Sequence, residues 1–243
     1  MEIILSFTGL GVGFLSGFFG IGGGTVLVPI LLLLGYKMNE AVGVSIMQMV
    51  FSSIYGSYLN YRKGSLIFGE GLFVGFGGFV GGYLSAYFTL LVPEILLKYI
   101  FILFVIFALY RLFADSQKEE QTTRVVSKGT LFGIGVAIGI FAISIGVGGA
   151  LILIPLLSGF LHYPLKKAVS AGLFFVMFSS VSGLLGRLLY GEIDMSSGII
   201  VGIASLGGVY MGIWFKDSIH TDKLRYLSIL MYSMILLVML FKI

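Results

Sequence analysis

The sequence predicts an all-α polytopic membrane protein built from two inverted-topology repeats of about five helical segments each. Composition, the spacing of charged residues and an internal duplication predict it. Of the 243 residues, 58% are hydrophobic and 11% are charged, whereas a soluble domain carries about 25% charged residues. With a mean hydropathy of +1.08, the chain has too few polar side chains to cover a water-exposed surface. We therefore expect a multi-pass protein of the cell (plasma) membrane, which is the inner membrane in a cell that has two.

Charge-free runs mark the membrane segments. No Asp, Glu, Lys or Arg occurs in the ranges 3–36, 41–61, 71–93, 129–165, 168–186 and 195–215. A spanning helix needs about 20 apolar residues. The shorter runs at 99–110 and 226–241 reach that length if Lys98 and Arg225 extend their charged ends to the interface. Membrane β-strands would instead alternate in segments of about 10 residues, so the pattern favours helices.

The chain carries an internal duplication. The segment GIGGGTVLVPILL at 20–32 matches GVGGALILIPLLS at 146–158 with a shift of 126 residues. After one inserted residue, FSS at 51–53 matches FSS at 178–180 with a shift of 127 residues. Such self-similarity in order along the chain indicates a repeat. It predicts a first membrane repeat at 1–113, a polar linker at 114–128 and a second membrane repeat at 129–243.

Two of the apolar runs are too long for one straight crossing. The run at 3–36 has 34 residues, which is about 50 Å of helix, against a hydrocarbon core of about 30 Å. Each long run also contains a GxGG motif and a following proline, Pro29 or Pro155. In a helix interior glycine costs roughly 1 kcal/mol and proline about 3 kcal/mol relative to alanine. Each run therefore either crosses once with a strong tilt, or breaks at the glycines and returns to its starting side.

Loop charges favour the second interpretation. If both long runs are hairpins, 11 of the 15 Lys and Arg residues share one side of the membrane, but if both cross once the division is 8 against 7. Lys and Arg are enriched in cytoplasmic loops. The eleven are Arg62, Lys63, Arg111, Lys118, Arg124, Lys128, Lys166, Lys167, Lys216, Lys223 and Arg225. The linker 114–128 would then be cytoplasmic, both termini would be outside, and the two halves would be inverted repeats, a recurrent transporter design.

The glycine motifs predict an anion site. Short half-helices are predicted to follow the breaks, at 25–36 and 150–161. A half-helix that starts at a break presents N–H groups without intrahelical partners and about half a positive charge, which favours an anion. Two such starts from inverted halves would meet near the membrane midplane, where polar side chains are functional candidates. The predicted substrate-binding residues are Gly20, Gly22, Gly23, Gly24, Thr25, Ser45, Gln48, Ser52, Gly146, Gly148, Gly149, Ala150, Ser179 and Arg187.

Some of these candidates have structural alternatives. Gln48 either contacts substrate or bonds another helix, and Arg187 either draws anions to the outer mouth or extends to the interface. The repeat pairs Ser45 and Gln48 with Gly172 and Phe175, which predicts a lopsided site. Most other glycines, which occur at small-xxx-small spacings, are expected to serve close helix packing.

Several function classes find no support. The chain has no cysteine, and its spans contain no cluster of metal-ligating side chains. The FLSG segment at 14–17 lacks the first glycine of an intramembrane serine protease motif, and the GxGG motifs lack the strand of a dinucleotide fold. The net charge of +4 is spread over loops, so no nucleic acid is expected. We predict no enzyme, no metal and no cofactor, and the expected partners are a small anion and the lipid bilayer.

The motifs together resemble a known family. The segments GFLSGFFGIGGGTVLVPILLLLGYKMNEAVGVS and GVAIGIFAISIGVGGALILIPLLSGFLHYPLKKAVSAG are similar to the sulfite exporter TauE/SafE family of membrane transporters, and the resemblance covers the whole chain. It implies an exporter of sulfur-containing oxyanions such as sulfite or organosulfonates. The predicted inverted repeats and midplane anion site favour alternating access as its mechanism. A passive anion channel is the alternative. The residues leave open the individual anion, the direction, the coupling ion and the oligomeric state, and a homodimer is compatible with them.

Overall fold

The computed structural model is entirely helical in its regular structure over the residues that it describes, which are 2–66, 69–114, 126–159, 161, 163–190 and 193–241. Of the predicted linker, residues 115–125 lie outside the described residues. The described helices are α1 (Glu2–Phe19), α2 (Gly24–Leu33), α3 (Met38–Arg62), α4 (Gly69–Leu91), α5 (Glu94–Ala114), α6 (Lys128–Ser144), α7 (Ala150–Gly159), α8 (Leu165–Tyr190), α9 (Met195–Ser218) and α10 (Thr221–Phe241).

Helix lengths confirm a polytopic membrane protein. Seven described helices, α1, α3, α4, α5, α8, α9 and α10, are long and apolar enough to cross a bilayer. Helix α6 has 17 residues, or about 25 Å. Helices α2 and α7 have 10 residues each, or about 15 Å, which is half of a hydrocarbon core. Each long apolar run is therefore divided into a longer and a shorter helix at its GxGG motif, as the sequence predicted.

Positive φ angles at glycine produce the two breaks. Gly20, Gly22 and Gly23 have φ of 73°, 76° and 88°, and the repeat-related Gly146, Gly148 and Gly149 have φ of 74°, 77° and 86°. This left-handed region is available to glycine at little cost and is strained for other residues. The glycines therefore end α1 and α6 and reset the chain direction before α2 and α7 begin.

Glycine stripes join the two repeats to each other. Gly9, Gly13 and Gly17 of α1 lie against the backbone of Val201, Ser205 and Val209 in α9, and a Cβ at any of them would collide with it. Gly77 and Gly81 of α4 lie in the same way against Phe132 and Val136 of α6. Both pairs are parallel, because residue numbers rise together along the two helices. Small residues allow such backbone approach in membranes, so these glycines serve packing as expected.

Contacts between helix ends define the two ends of the bundle. At one end, Lys63 after α3 bonds Asp217 in the last turn of α9, Lys166 of α8 bonds the backbone of Asp217, and Arg225 of α10 bonds Leu112 of α5. We call this the linker end, because α5 and α6 join the linker there. At the opposite end, called the far end, Tyr36 bonds Ser197 and Arg187 bonds the Asn39 carbonyl.

Each interrupted run returns to the end where it starts. Helix α1 begins at the far end because it runs parallel to α9, and Tyr36 after α2 is back at the far end on Ser197. Helix α6 begins at the linker end, where Lys128 lies over the Phe73 ring of α4, and Lys166 after α7 is again at the linker end. Both runs are therefore hairpins, and they enter the bundle from opposite ends.

Candidate functional site

The two breaks meet inside the bundle. Ser45 of α3 donates a hydrogen bond of 2.7 Å from its Oγ to the Gly146 carbonyl, and a Cβ at Gly24 would collide with the same carbonyl. Met49 and Val176, which the shift of 127 residues pairs, lie between the breaks against Gly22 and Gly148. Residues 20–25 and 145–150 are all buried. The structure therefore brings the predicted glycines together in a closed arrangement.

Two repeat-related serines hold the breaks in place. Ser52 donates from its Oγ to the Gly22 carbonyl at 3.0 Å, and Ser179 donates from its Oγ to the Gly148 carbonyl at 3.1 Å. Both side chains are fully buried. Each bond gives the carbonyl of the middle glycine of the motif a hydrogen-bond partner. The two serines thus fix the break geometry in the same way in both repeats.

The N-terminus of α2 has N–H groups outside the helical ladder. The first N–H groups to bond are those of Val26 and Leu27, which donate to the Gly23 carbonyl at 3.1 and 3.0 Å. Those of Gly24 and Thr25 precede them, in the first turn where intrahelical partners are lacking. Helix α7 begins alike, with Ile152 and Leu153 donating to Gly149. Such helix starts favour negative charge.

Gln48 places an unpartnered amide against the start of α2. Its side chain is fully buried, and neither Oε1 nor Nε2 has a hydrogen-bond partner among the described residues. A Cβ at Gly23 would lie 2.6 Å from Oε1 and 2.9 Å from Nε2, so the amide touches the residue that precedes α2. The Thr25 hydroxyl is also fully buried, and no described group bonds it. A buried polar group without a partner is costly; Thr25 belongs to the first turn of α2, and Gln48 contacts the residue before it.

The second break has apolar surroundings instead. The repeat places Phe175, Leu151 and Gly172 where the first half has Gln48, Thr25 and Ser45. A Cβ at Gly149 would lie 2.8 Å from Ile138 Cγ2 and would collide with the Phe175 ring. The site is therefore lopsided, as predicted. Side-chain donors surround the first break, whereas an aromatic ring covers the second.

Arg187 lies apart from the breaks. It is eight residues beyond Ser179 along α8, about 12 Å, and reaches the far end, where its Nη1 donates to the Asn39 carbonyl at 3.1 Å. Only 5% of the residue is exposed, and Nη2 is buried without a partner in the described ranges. The Arg187 side chain is therefore packed inside the bundle at the far end.

Sequence reasoning missed one buried polar cluster at the linker end. Lys216 of α9 donates from Nζ to Asn60 Oδ1 and to Ser170 Oγ, both at 3.1 Å. From its sequence context, Lys216 is predicted only as a loop charge. The repeat-related pair of Asn60 and Arg187, polar in both halves, is the signal that could have drawn attention to this position.

Two interrupted helices that meet within a polytopic helical bundle are typical of membrane transporters. Comparison with known proteins agrees. The sequence profile of the family described as sulfite exporter TauE/SafE matches residues 5–240, and the chain therefore belongs to the sulfite exporter TauE/SafE family. It is a membrane transporter.

Relatives carry the same general description. The chain is 29% identical over 212 residues to a probable membrane transporter protein, YdhB, of Bacillus subtilis, covering 85% of this chain and 86% of the relative. It is 26% identical over 240 residues to a probable membrane transporter protein of Methanocaldococcus jannaschii, covering 91% and 89%. A second Bacillus subtilis relative, YunE, with the same description, is 24% identical over 269 residues, covering 98% and 94%. No solved structure matches the chain.

Proposed function

We propose that the protein exports small sulfur-containing oxyanions, such as sulfite or an organosulfonate, by alternating access around the meeting point of the two breaks. The observation that carries this proposal is the pair of unpartnered polar side chains, Gln48 and Thr25, at the N-terminus of α2. The substrate class comes from the family's description.

The chemistry of the first break suits an oxyanion. The N–H groups of Gly24 and Thr25, the Gln48 amide and the Thr25 hydroxyl can all donate hydrogen bonds. A sulfite or sulfonate group offers three oxygens that accept them. Because the positive character comes from backbone dipoles and amides and not from a lysine, the anion would be bound without an ion pair, which suits a substrate that must also leave. Low dielectric inside the bundle would strengthen the attraction.

The hairpin directions support an inverted-repeat topology. One hairpin enters from the far end and the other from the linker end, and the contacting residues Lys63, Lys128, Lys166 and Arg225 at the linker end all belong to the eleven predicted to share one side. Since Lys and Arg are enriched in cytoplasmic loops, we place the linker end in the cytoplasm and both termini outside. Arg187 would then face incoming or departing anions at the outer mouth.

Opening of the site would involve movement of α2. The breaks are in contact and closed, so an anion reaches them only if they separate. Beside α2 lies an apolar cavity of about 380 Å³, lined by Val26, Pro29 and Ile30 of α2 and by Met231 and Ile235 of α10, among others. Displacement of α2 into this space would uncover Gln48 and the first-turn N–H groups. A closed centre with room for such movement supports a carrier over a passive channel.

The test uses purified protein, first in detergent and then in proteoliposomes. We expect sulfite, sulfoacetate or another sulfonate to raise Tm in a panel that also contains taurine, sulfate and thiosulfate. The variant with Gly23→Val and Gly149→Val should lose this rise, because each valine would need positive φ and would collide with Gln48 or Phe175. Gly35→Val is the matched control: Gly35 also has a positive φ of 95°, and within the described structure nothing lies within 4 Å of a Cβ there.

Flux then separates carrier from channel. Proteoliposomes preloaded with unlabelled sulfite should accumulate labelled sulfite by counterflow if the protein is a carrier, and the rate should saturate. Flux without counterflow would instead indicate the passive channel. Absence of both a Tm response and flux with every anion of the panel would refute the proposal.

A further inference from the structure

A buried cation at the linker end has no dedicated counter-ion among the residues that the structure describes. Lys216 is 1% exposed, and its two hydrogen bonds go to neutral acceptors, Asn60 Oδ1 and Ser170 Oγ. Asp217 Oδ1 lies 3.7 Å from Lys216 Nζ, and Lys63 already binds the other oxygen of that carboxylate at 2.7 Å. Buried charges are normally paired. The positive charge of Lys216 is therefore only partly compensated.

An unused donor stands beside this lysine. Asn60 is fully buried, and its Nδ2 has no partner within the part of the chain that the structure describes. Its Oδ1 also accepts from Ser65 and Ser170, each at 3.2 Å, which fixes the orientation of the amide. The cluster thus combines a buried ammonium group with a free amide N–H, a combination that favours an anion.

The duplication places a similar arrangement at the opposite end. Asn60 and Arg187 are related by the shift of 127 residues, as are Lys166 and Asn39. Arg187 bonds Asn39 at the far end and also keeps a buried donor, Nη2, without a partner among the residues described. A buried cation and an N–H donor without a described partner therefore occur at both ends, at or beside the repeat-related pair Asn60 and Arg187. Lys216 itself corresponds to Thr89.

The Lys216 cluster adjoins the first break. Ser170, which bonds Lys216, follows Val169, and a Cβ at Gly20 would lie 2.6 Å from Val169 Cγ1. Gly172 lies two residues after Ser170, and a Cβ there would be 2.9 Å from the Gly20 carbonyl oxygen. The same turn of α8 thus contacts both the lysine cluster and the start of the break, so an anion leaving the break toward the linker end would pass Lys216.

We propose that Lys216 and Asn60 form a second anion site for a small oxyanion, between the central site and the water at the linker end. This site rests on the proposed anion transport and extends it. In the closed structure, Asn60 Oδ1 and Ser170 Oγ hold the ammonium group. When the linker end opens, the anion takes their place on Lys216 and also accepts a hydrogen bond from Asn60 Nδ2.

Two variants test the site by different routes. Lys216→Met removes the charge and keeps the length of the side chain. Asn60→Asp is nearly isosteric and gives Lys216 a built-in carboxylate that competes with the anion. We expect each to lower sulfite counterflow by about 10- to 100-fold, the factor for one hydrogen bond to a charged group. Asn60→Asp should raise Tm without anion, and both variants should keep the sulfite-induced rise in Tm from the central site.

Lys167→Met is the matched control, since Lys167 is an exposed lysine of the same end, and it should exchange sulfite at the wild-type rate. If the wild-type protein shows counterflow and Lys216→Met shows it at the same rate, this site is overturned and the proposed function is left intact. If Lys216→Met fails to fold, Asn60→Asp decides, and normal counterflow by that variant would overturn the site. An absence of counterflow by the wild-type protein with every anion would overturn both proposals.

Discussion

Replacement of Gln48 by leucine should stabilise the protein while it abolishes anion binding. The amide leaves two buried atoms, Oε1 and Nε2, without partners among the described residues. An unsatisfied buried polar group costs about 1–3 kcal/mol, so removing both atoms should stabilise the anion-free protein by at least about 2 kcal/mol. Leucine has a similar volume and no polar atoms. At about 2–4 °C per kcal/mol for a protein of this size, Tm should rise by about 4–8 °C.

The response to anion should change in the opposite direction. A ligand at 100 times its Kd stabilises the native state by about 2.7 kcal/mol, so sulfite at that excess should raise the wild-type Tm clearly. Gln48→Leu should show a high Tm that sulfite does not raise further. A residue kept only for stability would show neither effect, because its removal would lower Tm and leave the sulfite response in place.

The assay is thermal unfolding of the purified protein in detergent, followed by the fluorescence of its single tryptophan, Trp214, with and without sulfite. Ser52→Ala is the comparison. Ser52 is equally buried but bonds the Gly22 carbonyl at 3.0 Å, so its loss should lower Tm by about 2–4 °C for about 1 kcal/mol. A Gln48→Leu protein that is destabilised like Ser52→Ala, or that keeps its sulfite response, would refute the assignment of Gln48.

Two further predictions concern stability. Gly13→Ala places a Cβ 2.7 Å from the Ser205 carbonyl carbon and should cost about 1–3 kcal/mol by overpacking. Gly11→Ala, with nothing described within 4 Å of its Cβ, should gain up to about 1 kcal/mol; equal Tm values for the two variants would contradict the packing of α1 on α9. Asp194→Ala should cost about 1 kcal/mol near neutral pH, because Asp194 Oδ1 accepts from the Ser197 N–H at 3.1 Å and caps α9. Hydrogen bonds from the Ser197 side chain and backbone lower the pKa of Asp194 below 3.8, so its contribution is complete above pH 3.8 and is lost as pH falls through the folded-state pKa; a difference in Tm from wild type that persists at the lowest pH would contradict this.

The breaks could be predicted from the sequence because they violate local rules. Clustered glycines followed by proline inside an apolar run cost helix stability, and the length of the run excluded a single upright crossing. The predicted half-helices, at 25–36 and 150–161, begin within one residue of the observed starts of α2 and α7. Their C-terminal ends were predicted too far along, since Leu33 and Gly159 end the two helices.

Partners across the bundle could not be predicted. A small-residue stripe such as Gly9, Gly13 and Gly17 shows that a helix is approached closely, but not which helix approaches it. That α1 lies on α9 of the other repeat required the structure. For the same reason, the sequence could not show that Ser45 bonds the opposite break, at Gly146, or that Asn60 and Lys216 meet, since they are separated by 156 residues.

The interlocking of α1 with α9 and of α4 with α6 determines which parts of the protein can move as units. We do not expect the two predicted repeats to move as such units, because the first helix of each packs on a helix of the other. Spin labels on α1 and α9 should keep a constant separation through the transport cycle, whereas labels on α2 and α10 should report a change. If residues 1–113 rocked against residues 129–243 during transport, the glycine contacts of α1 with α9 and of α4 with α6 would both have to break.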